Sequence, residues 1–286
     1  MTLCIGWIRS VGQSEEVCLI ADSCFSGGQQ FLAAPKLFPL NRNDCAIACA
    51  GYTGYSFPIV EHIMRSIEIN QKLRDRASDI SDMIHTIVDI ANKCLYEEQD
   101  IQLTEDGSPE FSMIVAGYSW KLKRPYFKII SYDKNSKQMY AKDTQTIKGK
   151  PVAVIGDSNE INAVRKKIFD LLEHDLVPQG GDFDMQPLEV LMEYITNPQK
   201  RSIGGRPQML KIYPFMKLLP VGFLHTNKEG KVLSYYGRPL LKYETFPYPI
   251  YDLEKKQFVY MKVNANEFVL QPELTKALNQ FRQKKL

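Results

Sequence analysis

The chain predicts an α+β fold in layers, built on antiparallel strands. Three observations carry this. Short apolar runs of strand character are grouped in the first 51 residues, two stretches with apolar residues at the helical period follow, and the order then repeats as strands, two more helical stretches and strands. Segregated groups of this kind mark α+β folds, whereas a parallel sheet asks for strict alternation of strand and helix.

The elements follow in order. Residues 3–9 alternate in polarity, 10–16 read as a polar turn, and Val17 to Ala21 is a continuous apolar run, so the three predict a hairpin. Lys36 to Leu40 is a short extended piece, and Asp44 to Gly51 is a buried strand ending in a tight Gly51–Gly54 turn. Helices are expected over 57–71 and 78–96, where isoleucine, valine and methionine recur every three to four positions. Strands return over 111–118, 126–132 and 152–155; a helix over 161–172 is capped by Ser158 or Asn159, and another starts at Pro187, a residue suited to a first turn. Strands over 209–213, 222–224 and 231–236 close the pattern, the last two joined through Asn227-Lys228-Glu229-Gly230. From Leu240 the patterning fades, and 271–286 reads as a basic surface helix.

Composition excludes several classes. Of 286 residues, 44% are hydrophobic and 24% charged, enough apolar material for a core and too much for a disordered chain. Length allows two domains or one with an extension. No run reaches the roughly 18 apolar residues of a membrane span, and the first residues lack a secretory signal, so a cytoplasmic location without membrane attachment is expected. A net charge of +3, taken as dispersed, gives no reason to expect a nucleic-acid partner. Six single cysteines and four scattered histidines lack ligand spacing; buried reduced thiols are expected, and no metal or cofactor. Gly204-Gly205 lacks the spacing of a phosphate loop.

The chemistry suggested by the sequence lies at its start. Thr2 is small enough for Met1 to be removed before it, which leaves one residue carrying both a hydroxyl and an α-amine. The amine, with a pKa near 8, is suited to take the hydroxyl proton at neutral pH. Cys4 could act this way only after further trimming, and a buried thiol is the simpler reading.

Four ordered motifs give this threonine a context: Thr2-Leu-Cys-Ile-Gly6, Leu19-Ile-Ala-Asp22-Ser23, Pro35-Lys36-Leu37-Phe38 and Ile47-Ala-Cys-Ala-Gly51-Tyr-Thr-Gly54. Together they resemble the N-terminal half of proteasome β-type subunits and their bacterial relatives. Asp22 follows Thr2 by 20 positions, more than is usual there, with the surplus in the polar hairpin; Lys36 follows Asp22 by 14 and Gly51 follows Lys36 by 15. The likeness is specific over residues 2–60 and weaker to about 238.

The resemblance implies a four-layer αββα sandwich of two antiparallel sheets over 1–238, with 239–286 as an extension packed on it or at a subunit interface. It implies a threonine peptidase needing no cofactor. Thr2 would be the nucleophile, Lys36 the charge that favours its deprotonation, Asp22 the partner of Lys36, and the Gly51 N–H an oxyanion donor. Ser158 falls where the family places a serine near the amine, although Asp157 also fits; Ser202 would support the site, without the acidic neighbour the family has. Phe25, Ser26, Cys49 and Thr53 would line the substrate pocket. A peptide or protein substrate, self-association with a ring as one form, and an unfoldase or tagging partner are the implied partners. A non-peptide amidohydrolase and an inactive structural subunit are the alternatives.

Overall fold

The computed structural model describes residues 2–12, 14–26, 29–97, 109–215, 217–227, 230–259, 261–264 and 267–270. Met1, Gly27-Gly28, Lys228-Glu229 and the expected helix over 271–286 lie outside them.

Strands β1 (Leu3–Val11) and β2 (Ser14–Ala21) form an antiparallel hairpin with Cys4 opposite Ala21 and Val11 opposite Ser14. The stretch expected as a turn is therefore largely strand. Its charges are there to be paired: Arg9 faces Glu16 across the ladder, and both are buried. β3 (Leu37–Pro39) and β4 (Cys45–Gly51) follow, then α1 (Thr53–Ile69), the short α2 (Gln71–Arg74) and α3 (Ile80–Tyr96). α1 starts four residues earlier than expected and runs through Pro58, so Gly51–Gly54 is a strand-to-helix junction and not a free turn.

β5 (Phe111–Ser119), β6 (Arg124–Asp133), β7 (Gln138–Lys142), β8 (Gln145–Ile147) and β9 (Lys150–Gly156) come next. α4 (Ser158–His174) is capped by Asp157, whose carboxylate accepts from the Asn159 N–H at 3.1 Å. This corrects the expected cap. A carboxylate one residue earlier meets the positive helix end, and Ser158 is already helical. α5 (Gln186–Thr196) has Pro187 in its first turn. β10 (Gln208–Tyr213), β11 (Lys217–Asn227), β12 (Gly230–Tyr235) and β13 (Arg238–Pro239) precede five short strands: β14 (Thr245–Phe246), β15 (Ile250–Asp252), β16 (Gln257–Val259), β17 (Met261–Asn264) and β18 (Glu267–Leu270).

The chain is thus mixed α and β with two main antiparallel sheets. A ten-stranded sheet runs β13-β12-β11-β10-β2-β1-β9-β8, with β15 added parallel to β11 and β16 added to β15; a five-stranded sheet runs β3-β4-β5-β6-β7. β14, β17 and β18 form a third, small sheet. β15 and β16 bring Tyr251 and Phe258 onto the core of the ten-stranded sheet. No helix among the described residues is long and apolar enough to cross a membrane.

Strand alternation sorts most of the core into three clusters, beside a smaller fourth around Leu233, Phe246 and Ile250. Ile5, Trp7, Ile20 and Val154 meet Ile168 of α4 and Leu191 of α5. Ile47, Met113, Val115 and Ile130 meet Ile63 of α1 and Ile87 of α3. The alternate residues of the same strands form the third cluster, which joins the sheets: Ala46, Ala48, Ile114 and Ala116 from one, Val17, Leu19, Leu210 and Ile212 from the other. Alanines on that face of β4 let the sheets approach closely, while the larger Ile47 fills the space beneath the helices.

Candidate active site

The β1–β2 register decides what lies at the start of the chain. With Cys4 opposite Ala21, Leu3 comes opposite Asp22: the Asp22 N–H donates to the Leu3 carbonyl at 3.2 Å, and the Leu3 N–H donates to Asp22 Oδ1 at 3.0 Å. The same Oδ1 accepts from Lys36 Nζ at 2.7 Å. Oδ2 accepts the N–H groups of Cys24 at 3.0 Å and Gly204 at 3.1 Å. Asp22 is 0% exposed and Lys36 1%, so neither is the surface ion pair their composition alone would suggest. Burial of two charges is costly unless each is paired and hydrogen-bonded. Asp22 meets that condition with four donors.

Lys36 does not. Its ammonium carries three N–H groups, and among the described residues Asp22 is its only hydrogen-bonding partner. The Phe25 ring lies 5.8 Å from Nζ. The Lys36 backbone is tied on both sides, its N–H to Gln208 Oε1 at 3.1 Å and its carbonyl to the Cys49 N–H at 3.1 Å. Gln208 Nε2 also donates to the carbonyls of Asp22 and Ala34, at 3.0 and 2.7 Å.

Thr2 is 5% exposed, and its carbonyl accepts from the Asp157 N–H at 3.3 Å. Gly156 makes this approach of β9 workable: at φ 145° a Cβ there would lie 2.0 Å from the Thr2 oxygen. Thr2, Asp22 and Lys36 are therefore brought together at one end of the sheets. Gly51 ends β4 at φ 119°, where a Cβ would fall 1.9 Å from the Glu110 carbonyl, so the backbone bend requires glycine there whatever else its N–H does.

The thiols nearby are poor nucleophiles. Burial raises Cys4 well above the usual thiol range despite the opposing Lys36 charge, and pushes Cys49 up to about 12. Both stay protonated at neutral pH. Cys4 Sγ lies 3.4 Å from the Cys49 carbonyl, a link between β1 and β4. All six cysteines are unpaired, and five are buried.

A cleft of about 570 Å³ is lined by Asp157, whose N–H holds the Thr2 carbonyl, and by Ser26, Gln30, Glu160, Arg201 and Ser202 among others; Thr2, Lys36 and Gly51 do not line it. Of the four expected pocket residues, only Ser26 lines it. Phe25 instead packs edge-on against Phe57 at 5.5 Å, and Phe57 against Phe38 at 5.4 Å; Cys49 is buried, and Thr53 opens α1, partly buried. Ser158 is exposed on the first turn of α4, its hydroxyl without a hydrogen bond among the described residues, while the backbone of Asp157 makes the contact with Thr2. Ser202 lies on the cleft wall, and its neighbour Arg201 offers a carbonyl to Gln30 Nε2 at 2.7 Å.

Sequence reasoning missed Gln208, Ser23 and the Gly204 N–H. Ser23 Oγ donates to the Leu32 carbonyl at 2.8 Å and accepts the Arg206 N–H at 2.7 Å, joining the loops before Lys36 and before β10. The one available signal was Gln208 itself, a polar residue heading the apolar run Met209-Leu210. No protein-family model matches the chain, and no curated protein matches it.

Proposed function

We propose that the protein is a threonine-type N-terminal nucleophile hydrolase of the proteasome β-subunit kind, cleaving amide bonds and peptide bonds in particular. One observation carries the reading: a single buried carboxylate oxygen, Asp22 Oδ1, accepts both the N–H that follows Thr2 and the ammonium of Lys36. The shared oxygen supports a role for the Lys36 charge at the residue that holds the hydroxyl. The four-layer αββα arrangement belongs to the same proposal. It is supported by the three core clusters, two between a sheet and its helices and one between the sheets.

Once Met1 is removed, the Thr2 amine accepts the hydroxyl proton and Thr2 Oγ attacks the carbonyl carbon. Lys36 favours the developing alkoxide. The tetrahedral intermediate collapses to an ester on Thr2 while the amine passes its proton to the leaving nitrogen, and water then hydrolyses the ester. The cleft beside Asp157 takes the substrate chain. Intact mass of the purified protein, before and after a threonine-directed electrophile, tests the reading. One adduct on a chain lacking Met1, absent in Thr2→Ala, is expected; retention of Met1, or an adduct that persists in Thr2→Ala, would sink it.

A further inference from the structure

The charge of the chain is not dispersed. Residues 121–150 hold nine lysines and arginines against two aspartates, which leaves 27 basic and 31 acidic residues for the other 256. A segment of net +7 is set in a body of net −4. It spans the β5–β6 turn, β6, the β6–β7 turn, β7 and β8, and β7 is the end strand of the five-stranded sheet.

Some of these cations are spent locally. Lys121 pairs with Asp82 at 3.0 Å, Lys128 with Asp143 at 2.6 Å, Lys148 with Glu173 at 2.6 Å and Lys150 with Asp182 at 3.4 Å. Lys123, Arg124, Lys137 and Lys142 are exposed and have no acidic partner among the described residues. They are strung along the edge. Lys123 and Arg124 stand at the start of β6, Lys142 is opposite Ile129 near its middle, and Lys137 is in the turn at its far end. Ten residues of strand span about 33 Å. Aromatic rings accompany the charges on both faces of the sheet: Tyr126 lies 6.0 Å from Lys128 Nζ on the side facing the helices, Tyr140 lies 5.9 Å from Lys142 Nζ on the opposite side, and Trp120 is 43% exposed in the first turn.

Lysines on an edge strand can serve merely to block pairing with another sheet. Here that task is met at Met139, since Asn92 of α3 donates to its carbonyl at 3.0 Å and accepts its N–H at 2.7 Å. The same closure disfavours an acidic peptide added as a further strand, because that mode needs the edge's backbone groups. A partner must be read through side chains. A bilayer meets a flat patch with an apolar tip; Trp120 and Leu122 stand at one end and Tyr140, with its polar hydroxyl, on β7, whereas the cations continue along the strand.

We propose that the β6–β7 edge binds the phosphate backbone of single-stranded nucleic acid, with the exposed Tyr140 ring beside Lys142 offering sequence-tolerant stacking. The proposal is independent of the chemistry at Thr2. Fluorescence anisotropy with labelled thymidine and uridine oligonucleotides tests it. Binding that weakens steeply between about 50 and about 200 mM salt is expected. The variant Lys123→Glu/Arg124→Glu/Lys137→Glu/Lys142→Glu, on exposed positions that keep the circular dichroism of the parent, should bind about tenfold or more weakly, with the salt slope reduced by about 0.7 for each lost phosphate contact. No binding at low salt, undiminished binding by the variant, or capture by phosphatidylserine vesicles without capture of oligonucleotide would each overturn it.

Discussion

Two buried charge clusters lie at opposite ends of the β1–β2 hairpin, and they are built differently. At the Thr2 end, Asp22 is saturated by three backbone N–H groups and Lys36, while Lys36 has Asp22 as its one hydrogen-bonding partner among the described residues. At the far end, Glu16 Oε1 accepts from both Arg9 and Lys211 at 2.8 Å, Arg9 also reaches Asp184 at 2.6 Å, and the Phe258 ring covers both cations, 3.9 Å from Lys211 Nζ and 5.2 Å from the Arg9 guanidinium. One cluster is closed on itself. The other spends its anion mainly on backbone N–H groups and covers its cation more loosely, with the Phe25 ring 5.8 Å from Lys36 Nζ, the arrangement expected where a transient negative charge must be stabilised. Lys36 and Lys211 each have one carboxylate partner among the described residues, so pairing alone does not separate the clusters; the cover of the cation does, Phe258 lying 3.9 Å from Lys211 Nζ against 5.8 Å from Phe25 to Lys36 Nζ.

The largest expected effect is on Lys36. In Lys36→Met, labelling of Thr2 by the electrophile should slow by about 10²–10⁴-fold, the range for loss of a group that assists proton transfer. Lys211→Met should leave the labelling rate of the folded protein unchanged. Equal slowing by both would break the distinction between the clusters. Stability comes next. Asp22→Ala strands a buried ammonium and should cost about 3–5 kcal/mol in denaturant unfolding, whereas Arg9→Met/Glu16→Leu/Lys211→Met removes a whole ionic cluster and should be neutral or stabilising by about 1–4 kcal/mol. A triple variant less stable than Asp22→Ala would show that the far cluster is more than a replaceable closure.

A smaller effect lies in pH. Burial would raise Glu16, but the Lys211 and Arg9 charges outweigh it and hold its carboxyl below the ordinary 4.5. A carboxylate depressed in the folded state stabilises above its unfolded pKa and loses that contribution as pH falls through the folded value. Melting temperature should therefore drop faster below about pH 4.5 in the wild type than in Glu16→Gln. Parallel curves would remove Glu16 from the acid response.

These contrasts also mark what the sequence could reveal. Long periodic stretches such as α3 were legible because 17 residues sample the helical face nearly five times over. β7, β8 and the strands after 240 were not, since two to five residues are too few for a period. Thr2, Asp22 and Lys36 stood out through their order along the chain. Gln208, 172 residues from Lys36, and the Gly204 N–H, 182 from Asp22, act through backbone contacts that no local pattern encodes. The charge at 121–150 was legible but hidden by the whole-chain total, in which +7 and −4 nearly cancel.

The smallest effect separates side chain from backbone at the Thr2 end. Asp157 does two things: its carboxylate caps α4 through the Asn159 N–H, and its own N–H holds the Thr2 carbonyl. Only the first is lost in Asp157→Ala, which should cost about 1 kcal/mol of stability, and Asp157→Asn should restore most of it because asparagine caps equally well. Labelling of Thr2 should keep its rate and its pH profile in both variants, since the backbone bond to Thr2 survives. A shifted pH profile in Asp157→Asn, with stability intact, would mean that the carboxylate acts on the Thr2 amine, and the open character of this cluster would then belong to an Asp157–Thr2–Lys36 set and not to Lys36 alone.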